Sequence, residues 1–429
     1  MPFKGVRRHT QLGEWTEHCG LRAYFNRPGK RPTRDGWQDD AVTAEDQKPV
    51  RVLAYADSGL CSGAESLFAE VLAGVARDRS FELSFAAPST NRELVRMLED
   101  ASGGRAAADV PAQPLPLAAL HLYDPRRRRA VDAALARIRP DLVLLNLPSP
   151  EYGSTPLTSK SLDSTPIVGL VHITGTMEDL DFRLGGIRTG LARRVLRRLD
   201  RACVLSESAA GSFVSDWGPR DADPAVIRMP QPEIAVTDRD TARRKLGLDP
   251  GGPLVGIAGR LTTRQKGHDT LIAASGEVLG THPEAGFAVA GEGRDRAALE
   301  KMVASRGLGA SWHFLGQVSP IGDFFSAIDA IAIPSRFEGL PLIALEALEA
   351  GVPGIASSVD GLGDVWPGPW RVEPDDPGAL AAGLIEILGA DRGELEPLIE
   401  KGRVLMAGKV TGDASADVRR VLTEVAAHA

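Results

Sequence analysis

Twice in this chain a short apolar run ends at a glycine-containing loop and reopens as an amphipathic helix, and each time strands and helices then alternate. The first unit begins at Arg51 with RVLAYA, the loop SGLCSG and the helical stretch AESLFAEVLAGVAR. The second begins at Pro253 with PLVGIAG, the loop RLTTRQKG and HDTLIAASGEVL. Strands that alternate with helices must form a parallel sheet covered on both faces, because each crossover lays a helix on the sheet. The expected class is therefore α/β, with two Rossmann-like βαβ domains in tandem. Open sheets of this kind bind ligands at the carboxyl ends of their strands. Two facing lobes make a cleft with half of the site on each side.

The remaining pattern fits that frame. In the first lobe, FELSFAAP is read as a strand and TNRELVRMLEDA as a helix capped by Ser89 or Thr90. PRRRRAVDAALARIRP and TGLARRVLRRLDR are helical, whereas DLVLLNL, TPIVGLVH and ACVLS are strands. A boundary falls between about Pro224 and Gly252, where Pro230, Pro232 and Pro250 interrupt the pattern. The division expected is an extension over 1–48, a first domain over 49–235 and a second over 236–429, with the last helix free to pack back on the first domain. The extension is polar and carries Trp15, Tyr24, Phe25 and Trp37 without a strand or helix period. It is either a disordered arm or a segment packed on the body, and the aromatics favour packing.

Composition excludes several classes. A net charge of -7 argues against nucleic acid as a general partner. Cys19, Cys61 and Cys203 are scattered and form no CxxC pair, so neither a disulfide framework nor a zinc site is expected. The first twenty residues lack the apolar core of a secretory signal, and no apolar run approaches the roughly 20 residues of a membrane helix. The expectation is a soluble, cytoplasmic protein.

Four elements at strand ends carry candidate chemistry. Gly259 and Arg260 are followed by Lys266 and Gly267, two cations on one loop, suited to an anionic diphosphate. Alone they read as ordinary loop charges. In PSRFEGLPLIALEALEAG, Glu338 precedes Gly339 and Pro341, and the latter suits a helix start. The amides near Leu340, Leu342 and Ile343 and the helix dipole can hold phosphate. Glu346 lies among apolar residues and needs a partner if buried; the bland alternative is a solvated helix position. The loop from Ser58 to Ala64 holds Gly59 and Gly63, which let backbone approach a ligand or simply make a tight turn. His172 follows the strand Ile167–Val171, where its imidazole can donate to a sugar hydroxyl, although a lone histidine there is more often structural.

Together these residues resemble the retaining glycosyltransferase family 4, with GT-B architecture. The resemblance is densest between Leu254 and Val365: Gly259-Arg260 with Lys266-Gly267, the GEG of Gly291–Gly293, LGQV with Gln317 and Val318, and Glu338 and Glu346 followed by AGVP. The first lobe matches more loosely, through Gly63-Ala64-Glu65 and His172. The resemblance implies that the first domain is the acceptor side and the second the nucleotide-sugar side. It implies that Arg260 and Lys266 bind the donor diphosphate and stabilise the leaving charge. Glu346 would hold the ribose hydroxyls, and Glu338 and the amides after it the donor sugar and diphosphate. Gly63 would approach a phosphate from the opposite lobe, and His172 would touch the sugar. Gly259, Gly291, Gln317, Val318, Gly339, Leu340, Pro341 and Leu342 complete the donor set. No metal or other cofactor is implied; the nucleotide-sugar is a co-substrate.

The chain departs from the family where RMPQPEIAV (Arg228–Val236) replaces an Asn-Gly pair, and in its long amino-terminal arm. The acceptor is thus the least specified part: a small natural product, a sugar or a lipid, with the small molecule favoured. Uridine or guanosine is the expected base. Arg193, Arg194, Arg197, Arg198 and Arg201 form a basic stripe opposite Leu191, Val195, Leu196 and Leu199. Peripheral membrane contact through it is conceivable, but a solvated helix face is the simpler reading, and the Arg126–Arg129 run is read likewise. A GT-B sugar-nucleotide epimerase and a non-catalytic nucleotide-sugar-binding protein are the alternatives, since fold does not fix function.

Overall fold

The computed structural model describes residues 48–59, 61, 63–103, 106–113, 124–178, 184–218, 223–249, 251–410 and 412–428. The amino-terminal extension, with its aromatics and Cys19, lies outside the described residues apart from Lys48.

Seven strands form the first sheet: β1 (Val50–Tyr55), β2 (Phe81–Ala87), β3 (Ala106–Asp109), β4 (Leu142–Leu147), β5 (Ile167–Val171), β6 (Arg201–Val204) and β7 (Ala225–Val226), in the order β3-β2-β1-β4-β5-β6-β7. Six form the second: β8 (Leu254–Ala258), β9 (Gly286–Ala290), β10 (Trp312–Gly316), β11 (Ala330–Ile333), β12 (Gly354–Ser357) and β13 (Arg371–Val372), in the order β10-β9-β8-β11-β12-β13. Every pairing is parallel. The order reverses direction beside β1 and β4 in one lobe and beside β8 and β11 in the other, which opens a crevice at those carboxyl ends. The central strands β4, β5 and β8 are buried along their whole length, as strands covered on both faces must be.

Local chemistry sets the element ends. The helix Arg92–Ser102 is capped by Asn91, whose side chain accepts from the Leu94 N–H. The expected caps Ser89 and Thr90 lie before that position, and Ser89 instead donates its N–H and hydroxyl to Asp109 at the end of β3. That strand, AAAD, was not anticipated, since alanine has a poor strand propensity and β3 owes its form to pairing with β2. The helix Glu207–Trp217, capped by Ser206 and buried through Phe213 and Trp217, and the two-residue β7 were likewise not anticipated.

Among the described residues the lobes touch at several places. The last helix, Ala414–Ala427, packs on the helix Gly63–Val75 of the first lobe, with Ser415 against Gly74. Asp417 of that helix also accepts from the backbone N–H and the guanidinium of Arg228. The short helix Asp360–Val365 lies against Glu207–Trp217, where Asp364 accepts from the Ser208 N–H at 3.2 Å and its hydroxyl at 2.8 Å. Gln231 donates to Glu349 at 2.8 Å, and a further contact joins Gly339 to His172, within the cleft.

The arginine runs serve the fold. Arg193 donates to the Asp216 carbonyl, Arg198 to the carbonyls of Leu157 and Ser159, and Arg201 pairs with Asp223. Arg127 corrects the reading of the Arg126–Arg129 run as solvated. It is buried and meets Asp57 at 2.6 Å, Tyr55 and Thr155 completing the network around that carboxylate. A carboxylate buried at the end of β1 requires such a counter-cation. Among the described residues no helix is long and apolar enough to cross a membrane.

Candidate functional site

The second lobe assembles its candidates at the ends of β8, β9, β10 and β11. Gly259 follows β8 with φ 138°, a conformation that side chains avoid, and its N–H donates to the Ala290 carbonyl. Arg260 comes next, exposed and without a hydrogen bond or ion pair from its guanidinium among the described residues. The loop then makes a single helical turn, Thr263–Lys266. Its last residue sends Nζ to Glu338 Oε1 at 2.5 Å, and the hydroxyl of Ser335 donates to the same oxygen at 2.6 Å. Glu338 is 7% exposed at its side chain and Lys266 18%, so the pair is largely shielded from solvent and its charge is not screened away.

Arg336 clips these two loops together. Its N–H donates to the Gln265 carbonyl at 2.8 Å and its guanidinium pairs with Asp269 and Asp375. The helix Leu342–Ala350 begins just beyond, with Pro341 at its N-cap and no side chain capping it. Pro341 was expected one position later, at the first helical residue. One face of this helix carries Glu346, which is buried and makes no hydrogen bond or ion pair among the described residues. Burial alone pushes its carboxyl up to about 8. Gly291, at the end of β9, donates to the Gly316 carbonyl, while Gln317 and Val318 follow β10 toward the sheet edge, the former exposed and the latter half-buried.

The first lobe contributes His172, directly after β5, its N–H bonded to the Leu147 carbonyl at 3.0 Å. Gly339 approaches so closely that a Cβ there would overlap the His172 carbonyl oxygen. His172 and the Glu338–Leu342 segment are thus brought together across the cleft. Burial pushes the imidazole down to about 3, so the ring is neutral at ordinary pH. Its Nε2 lies 2.8 Å from Asn146 Oδ1. A ring that donates Nε2–H to that oxygen keeps Nδ1 as an acceptor, and the opposite tautomer reverses both roles. Gly63 stands apart: it opens its helix, is exposed, and has open space where a Cβ would be. Among the described residues no contact links it to the second lobe.

Ser335 and Asn146 were not singled out from the sequence. Ser335 sits inside the motif that carries Glu338, and Asn146 is the one polar residue in LVLLNL, a visible anomaly in a buried strand. Asp-x-Asp triplets occur at 179–181, 221–223 and 238–240. Asp238 caps the helix Arg239–Lys245, and Asp223 pairs with Arg201. No group of three His, Cys, Asp or Glu among the described residues could hold a metal.

The arrangement can bind an anion beside hydroxyl groups: among the described residues it offers an unpaired guanidinium, an ammonium, a helix start without a side-chain cap and a buried carboxyl without a donor. Comparison with known proteins bears on the same half of the chain. Residues 238–404 match the family of glycosyl transferases group 1. That stretch contains Gly259, Arg260, Lys266, Gly291, Gln317, Val318, Glu338 and Glu346 and stops short of Gly63 and His172. The chain is 31% identical over 217 residues to the D-inositol 3-phosphate glycosyltransferase of Rhodococcus opacus, a match covering 46% of this chain and 48% of that protein. The chain thus spans about half the length of the curated relatives it matches. Sucrose-phosphate synthase from Thermosynechococcus elongatus superposes with a TM-score of 0.68 at 19% identity, covering 89% of this chain and 100% of that one. HepE of Anabaena in complex with UDP and glucose gives 0.66 at 17%, covering 88% and 100%. The fold is therefore GT-B, two Rossmann-like domains facing across a cleft.

Proposed function

We propose that this protein is a retaining glycosyltransferase, moving a sugar from a UDP- or GDP-sugar to a small hydroxylated acceptor in the cytoplasm. The observation that carries the reading is Glu346. A buried carboxylate without a donor is costly, and vicinal ribose hydroxyls supply two donors at once. It stands on the helix that follows Glu338, the partner of Lys266, in a stretch that matches a glycosyl transferase family. HepE, solved with UDP and glucose, supports a uridine donor, and the acceptor named for the R. opacus relative supports a small polyol.

In this reading Arg260 and Lys266 hold the diphosphate and stabilise its charge as the bond to the anomeric carbon breaks. Glu338, released in part from Lys266, and the amides of Gly339 to Leu342 hold the sugar. Gly259, Gly291, Gln317 and Val318 line the nucleotide, and His172 accepts from a sugar hydroxyl. The acceptor oxygen attacks from the face the phosphate leaves, and the departing phosphate oxygen takes its proton. The fixed cations supply the positive charge, and the reading assigns no metal to the step. The test is turnover of UDP- and GDP-sugars in EDTA with a panel of polyol acceptors, read by nucleoside diphosphate release and by the anomeric proton of the product. Transfer with retained configuration supports the reading; inversion, or a strict requirement for a divalent metal, overturns it.

A further inference from the structure

Behind His172 lies a buried row of polar side chains drawn from three elements. Glu65 stands in the first turn of the helix Gly63–Val75, Asn146 in β4 and His172 just after β5. Glu65 and Asn146 are each 1% exposed and His172 is 7%. Asn146 Nδ2 faces Glu65 Oε1 at 3.5 Å, and Asn146 Oδ1 faces His172 Nε2 at 2.8 Å.

The chemistry of the row runs in one direction. A carboxylate only accepts, so the amide must turn its NH₂ toward Glu65. The reversed amide would set its oxygen against the carboxylate, a repulsion that low local polarity magnifies. With the amide so fixed, its oxygen faces the imidazole, and Nε2 must carry the proton. Nδ1, which has no hydrogen bond among the described residues, is left as an acceptor. We propose that Glu65 and Asn146 are positioning residues that lock His172 in its Nε2–H tautomer and so make Nδ1 a fixed acceptor for a hydroxyl of the bound glycosyl substrate. The substrate class rests on the function proposed above; the tautomer lock does not.

The other charges near the ring lie across the cleft, where Glu338 and Lys266 adjoin Gly339 at the His172 carbonyl. They pair with each other, and Glu65 is the carboxyl that faces Asn146 within the row.

The test is ¹⁵N NMR of the full chain labelled at its 8 histidines, with His172→Gln to assign the ring. The expected wild-type spectrum is a neutral ring protonated at Nε2, unchanged from pH 5 to 8, with no substrate present. Glu65→Gln, which can donate or accept, should give a mixture of tautomers. Asn146→Asp should raise the ring's affinity for a proton, yielding imidazolium near neutral pH. In turnover assays the kcat/KM of Asn146→Asp should then fall about tenfold per pH unit on a new acid limb absent from the wild type. A wild-type ring protonated at Nδ1, or ring shifts in Glu65→Gln identical to wild type, would overturn the proposal even if transfer activity is intact. The expected shifts in a protein that binds no sugar nucleotide would leave the lock standing and refute the function instead.

Discussion

Replacing Glu346 by Gln should make the ligand-free protein more stable at alkaline pH while weakening its hold on nucleotide. The carboxyl titrates at about 8 in the folded chain against an ordinary 4.5, because burial disfavours the ion. Below pH 4.5 both the folded and the unfolded forms are neutral, and the group costs nothing. Between 4.5 and 8 the unfolded chain ionises and the folded one stays protonated, so folding becomes progressively less favourable; above 8 the difference is constant. At about 1.4 kcal/mol per pH unit this amounts to about 3 kcal/mol at pH 7 and about 5 kcal/mol above pH 8. Glutamine does not titrate and escapes that penalty, whatever constant cost its amide carries. Urea unfolding of both proteins at pH 5, 7 and 8.5, read by tryptophan fluorescence, measures the change in their stability difference. The variant should gain relative to wild type as pH rises. A difference that is flat with pH would refute the argument, since it would mean that Glu346 is ionised and satisfied in the free protein.

Two further substitutions probe the cleft. Lys266→Ala leaves Glu338 buried without its cation, so it should lose about 3–5 kcal/mol of stability by denaturant melt and at least 100-fold in turnover; near-wild-type stability would place that carboxylate in solvent. Gly339→Ala puts a methyl group onto the His172 carbonyl and should hold the lobes apart. Its nucleotide binding, which rests on the second lobe, should survive in calorimetry while transfer is lost, and unchanged kcat/KM would show that this contact is not part of the working cleft.

The double α/β architecture was legible because parallel strands buried on both faces read as unbroken apolar runs, as in LVLLNL and LVGIA. The second lobe's site was legible for a related reason: its charged residues stand where such runs stop, and Glu346 is out of place in an apolar helix. What the sequence hid depends on tertiary pairing. The strand AAAD forms only beside β2, and the helix between the two strands begins at Asn91, two residues beyond the Ser89 that donates to Asp109. Arg127 looked like one of four solvated arginines; only the fold shows that Asp57 waits for it at the end of β1. The partner of the His172 ring was also hidden, being Asn146, 26 residues away in sequence.

The central claim is that the second lobe holds a nucleoside diphosphate through Lys266, Arg260 and Glu346. Calorimetric titration of the full chain with UDP, GDP, ADP and dTDP in EDTA, beside Glu346→Ala, tests it most directly. One nucleotide should bind at a single site without metal and add roughly 2.7 kcal/mol of stability at 100 times its Kd, with most of that lost in the variant. Absence of binding by all four, or equal binding by wild type and Glu346→Ala, would contradict it.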